Sequence, residues 1–106
     1  MGKINPEIIQ IVKAFKARTA RRYHIRKMIL FGSQACGTAT EDSDIDLIVV
    51  TSKKDNGIVR KLAEEWHIKQ DIDYPVDFID YTYAEFKRLS GSISIVKQAL
   101  ETGMEI

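Results

Sequence analysis

The stretch Phe31-Gly-Ser-Gln-Ala-Cys-Gly-Thr-Ala-Thr-Glu-Asp-Ser-Asp-Ile-Asp-Leu-Ile-Val-Val50 reads as the end of one strand, a Gly-Ser turn, a small polar loop and a second strand that opens on Asp44-Ile45-Asp46. Side chains alternate faces along a strand, so Asp44 and Asp46 project to the same side and Ile45 to the other, toward a core. Two carboxylates held that close repel one another unless a cation neutralises them. Magnesium suits the pair: it takes oxygen ligands from one or two carboxylates and completes its shell with water and substrate phosphates. Gly32 lets the backbone approach a phosphate closely, and Ser33 adds a hydroxyl donor. A phosphate turn and a pair of metal ligands within one short segment point to a site for a metal–nucleotide complex.

Elements can be read outward from this segment. Arg26 to Phe31 is a short apolar run that stops at Gly32, and Asp44 to Val50 carries the β-branched run Ile48-Val49-Val50; both read as strands. Upstream, Asn5-Pro6 looks like a helix cap followed by proline at the first helical position. Ile8, Ile9, Val12 and Phe15 then recur at helical spacing, predicting a helix from Pro6 to Ala20. Downstream, Ile58, Leu62, Ala63 and Trp66 predict a helix over Gly57 to Ile68, with Trp66 packing it on the sheet, and Val76 to Ile79 reads as a third strand. Thr82-Tyr-Ala-Glu85 matches a capping box that starts a further helix at Tyr83. Gly91 interrupts that helix, and a last one runs from Ser92 to Thr102, with Gly103 as its C-cap. Strands separated by helices make this an α/β (α+β) chain, a small mixed β-sheet flanked by helices. Its 106 residues, 44% of them hydrophobic, suffice for one domain.

Metal-assisted phosphoryl chemistry calls for a further acid, as a base for the attacking hydroxyl or as a ligand to a second ion. Asp77, set between apolar neighbours in the third strand, is the inward-facing choice; Asp80 falls at the strand's end and faces water. Other chemistry is sparse. Cys36 is the lone cysteine, which excludes an internal disulfide and suits the cytoplasm, and no apolar run approaches a membrane span. His24 and His67 lack metal-ligand spacing. The formal net charge of +1 gives no case for nucleic acid. The charges are nonetheless segregated: Lys13, Lys16, Arg18, Arg21, Arg22, Arg26 and Lys27 lie in a stretch without acids, whereas Glu64 to Asp80 is acid-rich.

Gly32-Ser33, ten intervening residues, then Asp44-Ile45-Asp46 resemble the signature of the polymerase-beta-like nucleotidyltransferase superfamily, and the short Ser43-Asp-Ile-Asp-Leu47 context is similar to its minimal nucleotidyltransferases. The resemblance implies that fold and the transfer of a nucleoside monophosphate, AMP from ATP, to a hydroxyl. Carried over, Gly32 and Ser33 contact the triphosphate, Asp44 and Asp46 bind Mg2+, and Asp77 completes the triad as base and metal ligand, with a two-metal arrangement within reach. Many such proteins pair with a HEPN-domain toxin, to which the transferase acts as an antitoxin by adding AMP to a tyrosine. The acceptor would then come from a partner protein or a homodimer surface. Two other readings fit the same residues: a binding module that neutralises its partner by occlusion, and the catalytic subunit of a two-chain small-molecule transferase. One departure from the pattern is visible. Many relatives carry a basic residue where this chain has Gln34 or Cys36.

Overall fold

A computed structural model describes residues 5–37, 43–92 and 95–106. Helix α1 spans Pro6–Thr19, with the Asn5 side chain accepting a hydrogen bond from the Glu7 N–H at 2.9 Å. It leads into strand β1, Ile25–Phe31. A single helical turn, α2 at Ser33–Cys36, follows, and then β2 at Ile45–Thr51. Helix α3, Ile58–Glu64, widens into a π-helical turn at Glu65–Lys69. Strand β3 is Val76–Thr82, three residues longer than its apolar core predicts. Helix α4, Tyr83–Ser90, starts at the expected capping box: Thr82 Oγ1 accepts from the Glu85 N–H at 3.3 Å, and Glu85 Oε1 accepts from the Thr82 N–H at 2.8 Å. Helix α5 covers Ile95–Thr102, and a two-residue strand β4, Met104–Glu105, closes the described chain. Ile93, expected in the last helix, lies outside the described residues, as do Thr38 and Ala39 of the polar loop.

The sheet has the order β3-β2-β1-β4. β1 pairs antiparallel with β2 and β4, and β2 pairs parallel with β3 through the α3 crossover, so the sheet is mixed as expected. β2 is central and buried on both faces. Ile45, Leu47 and Val49 join Met28, Leu30 and Phe78 under α1 and α3, where Phe15 meets Trp66 edge-on at 5.0 Å and stacks on Phe78 at 5.7 Å. Ile48 and Val50 face the other way, with Ile29 of β1 beside them, toward Phe86, Val96 and Ala99 of the α4–α5 layer. Trp66 is fully buried, and its indole N–H reaches the Tyr74 carbonyl at 2.8 Å. It therefore packs its helix on the sheet as expected, with its polar atom satisfied.

Two features escape the sequence reading. First, β4 depends on Gly103. A Cβ there would sit 2.4 Å from the Ala99 carbonyl oxygen and 2.7 Å from that of Leu30, so only glycine lets the chain turn from α5 straight onto β1. Second, the segregated charges partly meet. Glu65, 4% exposed, accepts from Arg22, from Lys69 at 3.2 Å and from Tyr23 at 3.2 Å through Oε1, and from Gln70 at 3.4 Å through Oε2. The network ties the α1–β1 corner to the π turn.

Gly103→Ala is expected to cost about 1–3 kcal/mol in urea unfolding, the usual range for overpacking; a loss under a few tenths would mean that β4 does not need the close approach. Burial pushes the Glu65 carboxyl up, but the bonds from Lys69, Gln70 and Tyr23 outweigh it and hold the group below its ordinary 4.5. The folded state therefore binds this proton less readily than the unfolded chain, and the network's stabilisation is present above pH 4.5 and lost as the pH falls through the lowered value. Glu65→Ala should destabilise by about 2 kcal/mol at neutral pH. The gap to the parent should shrink in melts taken at successively lower pH beneath 4.5.

Candidate functional site

The rim formed by the C-terminal end of β1 and the starts of β2 and β3 brings the singled-out residues together. Phe31 pairs with Asp46 across β1 and β2, and Asp46 pairs with Asp77 across β2 and β3. Because strand faces alternate, Asp46 and Asp77 share the face of Ile48, Val50 and Ile79, at the open end of the α4–α5 layer. Asp44 precedes the first paired residue of β2 and is exposed; Asp46 is half-buried.

Asp77 shares the rim but does not face inward as expected. It is exposed, on a strand that forms the edge of the sheet among the described residues. Asp80 also differs from expectation. It is half-buried within β3, opposite Val49, on the other face of the sheet from Asp46 and Asp77. The strand alternation thus separates Asp80 from the rim.

Gly32 joins the rim through shape. Its backbone lies at φ +74° and ψ −155°, a conformation that residues with a Cβ rarely adopt. A Cβ there would also lie 2.4 Å from Asp46 Oδ2. The glycine therefore serves the carboxylate as well as the turn: its bare Cα leaves the space that the Asp46 side chain occupies. Ser33 opens α2, whose turn is closed by the Ala35 N–H on the Gly32 carbonyl at 3.1 Å and by left-handed Gly37 donating to the Ser33 carbonyl. Gln34, at one of the two positions where many relatives carry a basic residue, is buried, with its amide on the Ser43 carbonyl at 3.3 Å. No periodicity within so short a turn could have revealed that orientation.

The electrostatics follow from this crowding. Burial pushes the Asp46 carboxyl above its ordinary 3.8, and the nearby charges of Asp77 and Asp44 push it further in the same direction. All three influences disfavour the charged form, which is the setting in which a bound cation is stabilised most. Among the described residues, however, no three His, Cys, Asp or Glu side chains converge to enclose an ion. The donor set therefore fits a hard cation held by one or two carboxylates and completed by water and phosphate oxygens, rather than an all-protein cage.

Comparisons with known proteins place the fold in a family. The family model described as a nucleotidyltransferase domain matches residues 8–101. A candidate protein adenylyltransferase of Methanocaldococcus jannaschii is 35% identical over 72 residues, covering 62% of this chain and 73% of that protein. Among solved structures, a toxin–antitoxin complex with AMP-PNP superposes with a TM-score of 0.61 at 26% identity, over 88% of this chain and 70% of that one. A candidate nucleotidyltransferase of Sulfolobus solfataricus shares the fold, with a TM-score of 0.58 at 19% identity over 93% of this chain and 78% of that one. The fold, the matched span and the M. jannaschii relative lead to one conclusion: the chain belongs to the nucleotidyltransferase domain family and is a nucleotidyltransferase.

Proposed function

We propose that this nucleotidyltransferase moves AMP from ATP to a hydroxyl of a partner protein, a tyrosine of a HEPN-domain toxin, and so acts as an antitoxin in the cytoplasm as a single domain. The observation that carries the reading is the in-register row Phe31, Asp46, Asp77 beside Gly32, which sets two acids next to a glycine turn. The M. jannaschii relative named for protein adenylyl transfer and the toxin–antitoxin complex with AMP-PNP support the acceptor class and the nucleotide.

In this reading the Gly32 and Ser33 backbone and the Ser33 hydroxyl bind the triphosphate. Asp44 and Asp46 would hold Mg2+, with water and phosphate oxygens completing its shell. When bound, the ion offsets the charge that develops on the phosphate oxygens and the departing pyrophosphate. Asp77, the most solvent-open acid of the paired row, is placed to meet an incoming acceptor and take its hydroxyl proton. The acceptor oxygen then bonds to the α-phosphorus, and the α–β phosphoanhydride bond breaks to release pyrophosphate. The half-buried Asp46 stays fixed on the sheet while the ligands assemble around it.

Incubation with α-phosphate-labelled ATP, Mg2+ and an adjacently encoded HEPN-domain protein should label that protein. An Asp44→Ala/Asp46→Ala variant should lower the rate on the order of a thousandfold, the scale of several kcal/mol of transition-state stabilisation. Label transfer that survives the double change would remove the proposed metal role, and suppression of the toxin by that variant would move the reading to occlusion. A second measurement needs no acceptor. Because the Asp46 carboxyl is raised in the folded state, it opposes folding once it ionises, so Asp46→Asn should melt higher than the parent at pH 7. That gain should vanish as the pH falls below 3.8, where the carboxyl is protonated in both states. An unchanged or lower melting temperature at pH 7 would contradict the crowding of charge on the rim.

A further inference from the structure

Of the three rim acids, the sheet holds two. Asp46 and Asp77 are locked opposite one another by the β2–β3 register, whereas Asp44 lies just before the first paired residue of β2. Its main chain is nevertheless fixed on both sides. On one side, the Ile45 N–H donates to the Pro75 carbonyl at 2.8 Å. On the other, the Ser43 carbonyl accepts from Gln34 Nε2 at 3.3 Å. Gln34 is 6% exposed, so its amide has little water to turn to, and breaking the contact would strand a buried donor. The α2 turn that carries it is anchored in turn by buried Ala35 and by the Gly37 cap.

We infer that Gln34 is a positioning residue for Asp44: its buried side-chain amide clamps the Ser43 carbonyl and thereby aims the adjacent carboxylate at the cation shared with the nucleotide phosphates. The inference rests on the metal-dependent transfer reading above. It explains why an uncharged side chain occupies this turn position. A neutral amide can be buried against a carbonyl, whereas a guanidinium or ammonium there would have to be desolvated without an opposing charge. Groups that orient a metal ligand rather than touch the metal commonly govern metal affinity tenfold or more. Gln34 would act in that way, through the backbone of residue 43 rather than through the carboxylate itself.

The test uses Gln34→Met, which fills the same space without a donor, and Gln34→Asn, which keeps the amide but falls short of the carbonyl. Mn2+ alone is titrated by electron paramagnetic resonance, with thermal melts of every variant alongside. Roughly tenfold weaker Mn2+ binding is expected for both variants, together with a comparable fall in kcat and a KM for ATP within about twofold of the parent. On an Asp44→Ala background, Gln34→Met should weaken Mn2+ binding no further, because its effect passes through Asp44. A lower melting temperature with unchanged Mn2+ binding, or losses that add in the double variant, would overturn the assignment. Failure of the parent to bind Mn2+ any better than Asp46→Asn would instead overturn the metal reading on which it rests.

Discussion

The register of β2 is the constraint on which the rest of this structure depends. Ile45, Leu47 and Val49 must enter the layer of Phe15, Trp66 and Phe78, and Ile48 and Val50 must enter the layer of Phe86, Val96 and Ala99. A one-residue slip would exchange the two sets and drive Asp46 toward the aromatic cluster, where an unpaired carboxylate is costly. Apolar burial on both faces of one strand therefore determines where the acid emerges. Pairing with β1 and β3 then carries that choice sideways, placing Phe31 and Gly32 on one flank and Asp77 on the other. Much of the candidate site is thus a by-product of core packing, and its precision is that of a sheet rather than of a loop.

This arrangement works against stability locally. Three acids near one rim and a half-buried Asp46 with a raised pKa are what a protein selected for stability alone would remove. The opposing contributions lie elsewhere: the Phe15–Trp66–Phe78 cluster, the Thr82–Glu85 capping box, and the Glu65 network that ties Arg22 and Tyr23 to Lys69. The same kind of group is treated in opposite ways in the two places. Glu65 is buried with donors around it and is held ionised, whereas Asp46 sits among acids and is pushed toward neutrality. The first pattern suits a structural tie; the second suits a group whose partner arrives from outside.

How much could be read from sequence follows from range. The Asn5 and Thr82 caps, the helical spacing of Ile8, Val12 and Phe15, and the β-branched run of β2 are local signals, and each lies where it was expected. Strand alternation pairs Asp44 with Asp46, but β2 begins only at Ile45, so Asp44 lies ahead of the ladder. Apolar neighbours favour Asp77 and set Asp80 aside as a strand end, whereas Asp80 lies within β3 on the opposite face. What was missed depended on contacts between distant segments. β4 is two residues long and exists because Gly103 can press against Leu30 and Ala99. The outward exposure of Asp77 required knowing that β3 is an edge. Gln34 and Ser43 are nine positions apart, and nothing in their spacing marks a hydrogen bond.

The two ways of holding acids on the rim also divide the labour of binding. Asp46 and Asp77 move only if the sheet moves, so their separation is as constant as the β2–β3 ladder. Asp44 is exposed and lies ahead of the ladder, and its freedom is limited by single hydrogen bonds on either side, at Ile45 and Ser43. Holding Asp44 by two single hydrogen bonds rather than by the ladder makes its position sensitive to each of them. That places the strength of ion binding in a neutral, buried side chain outside the carboxylate set.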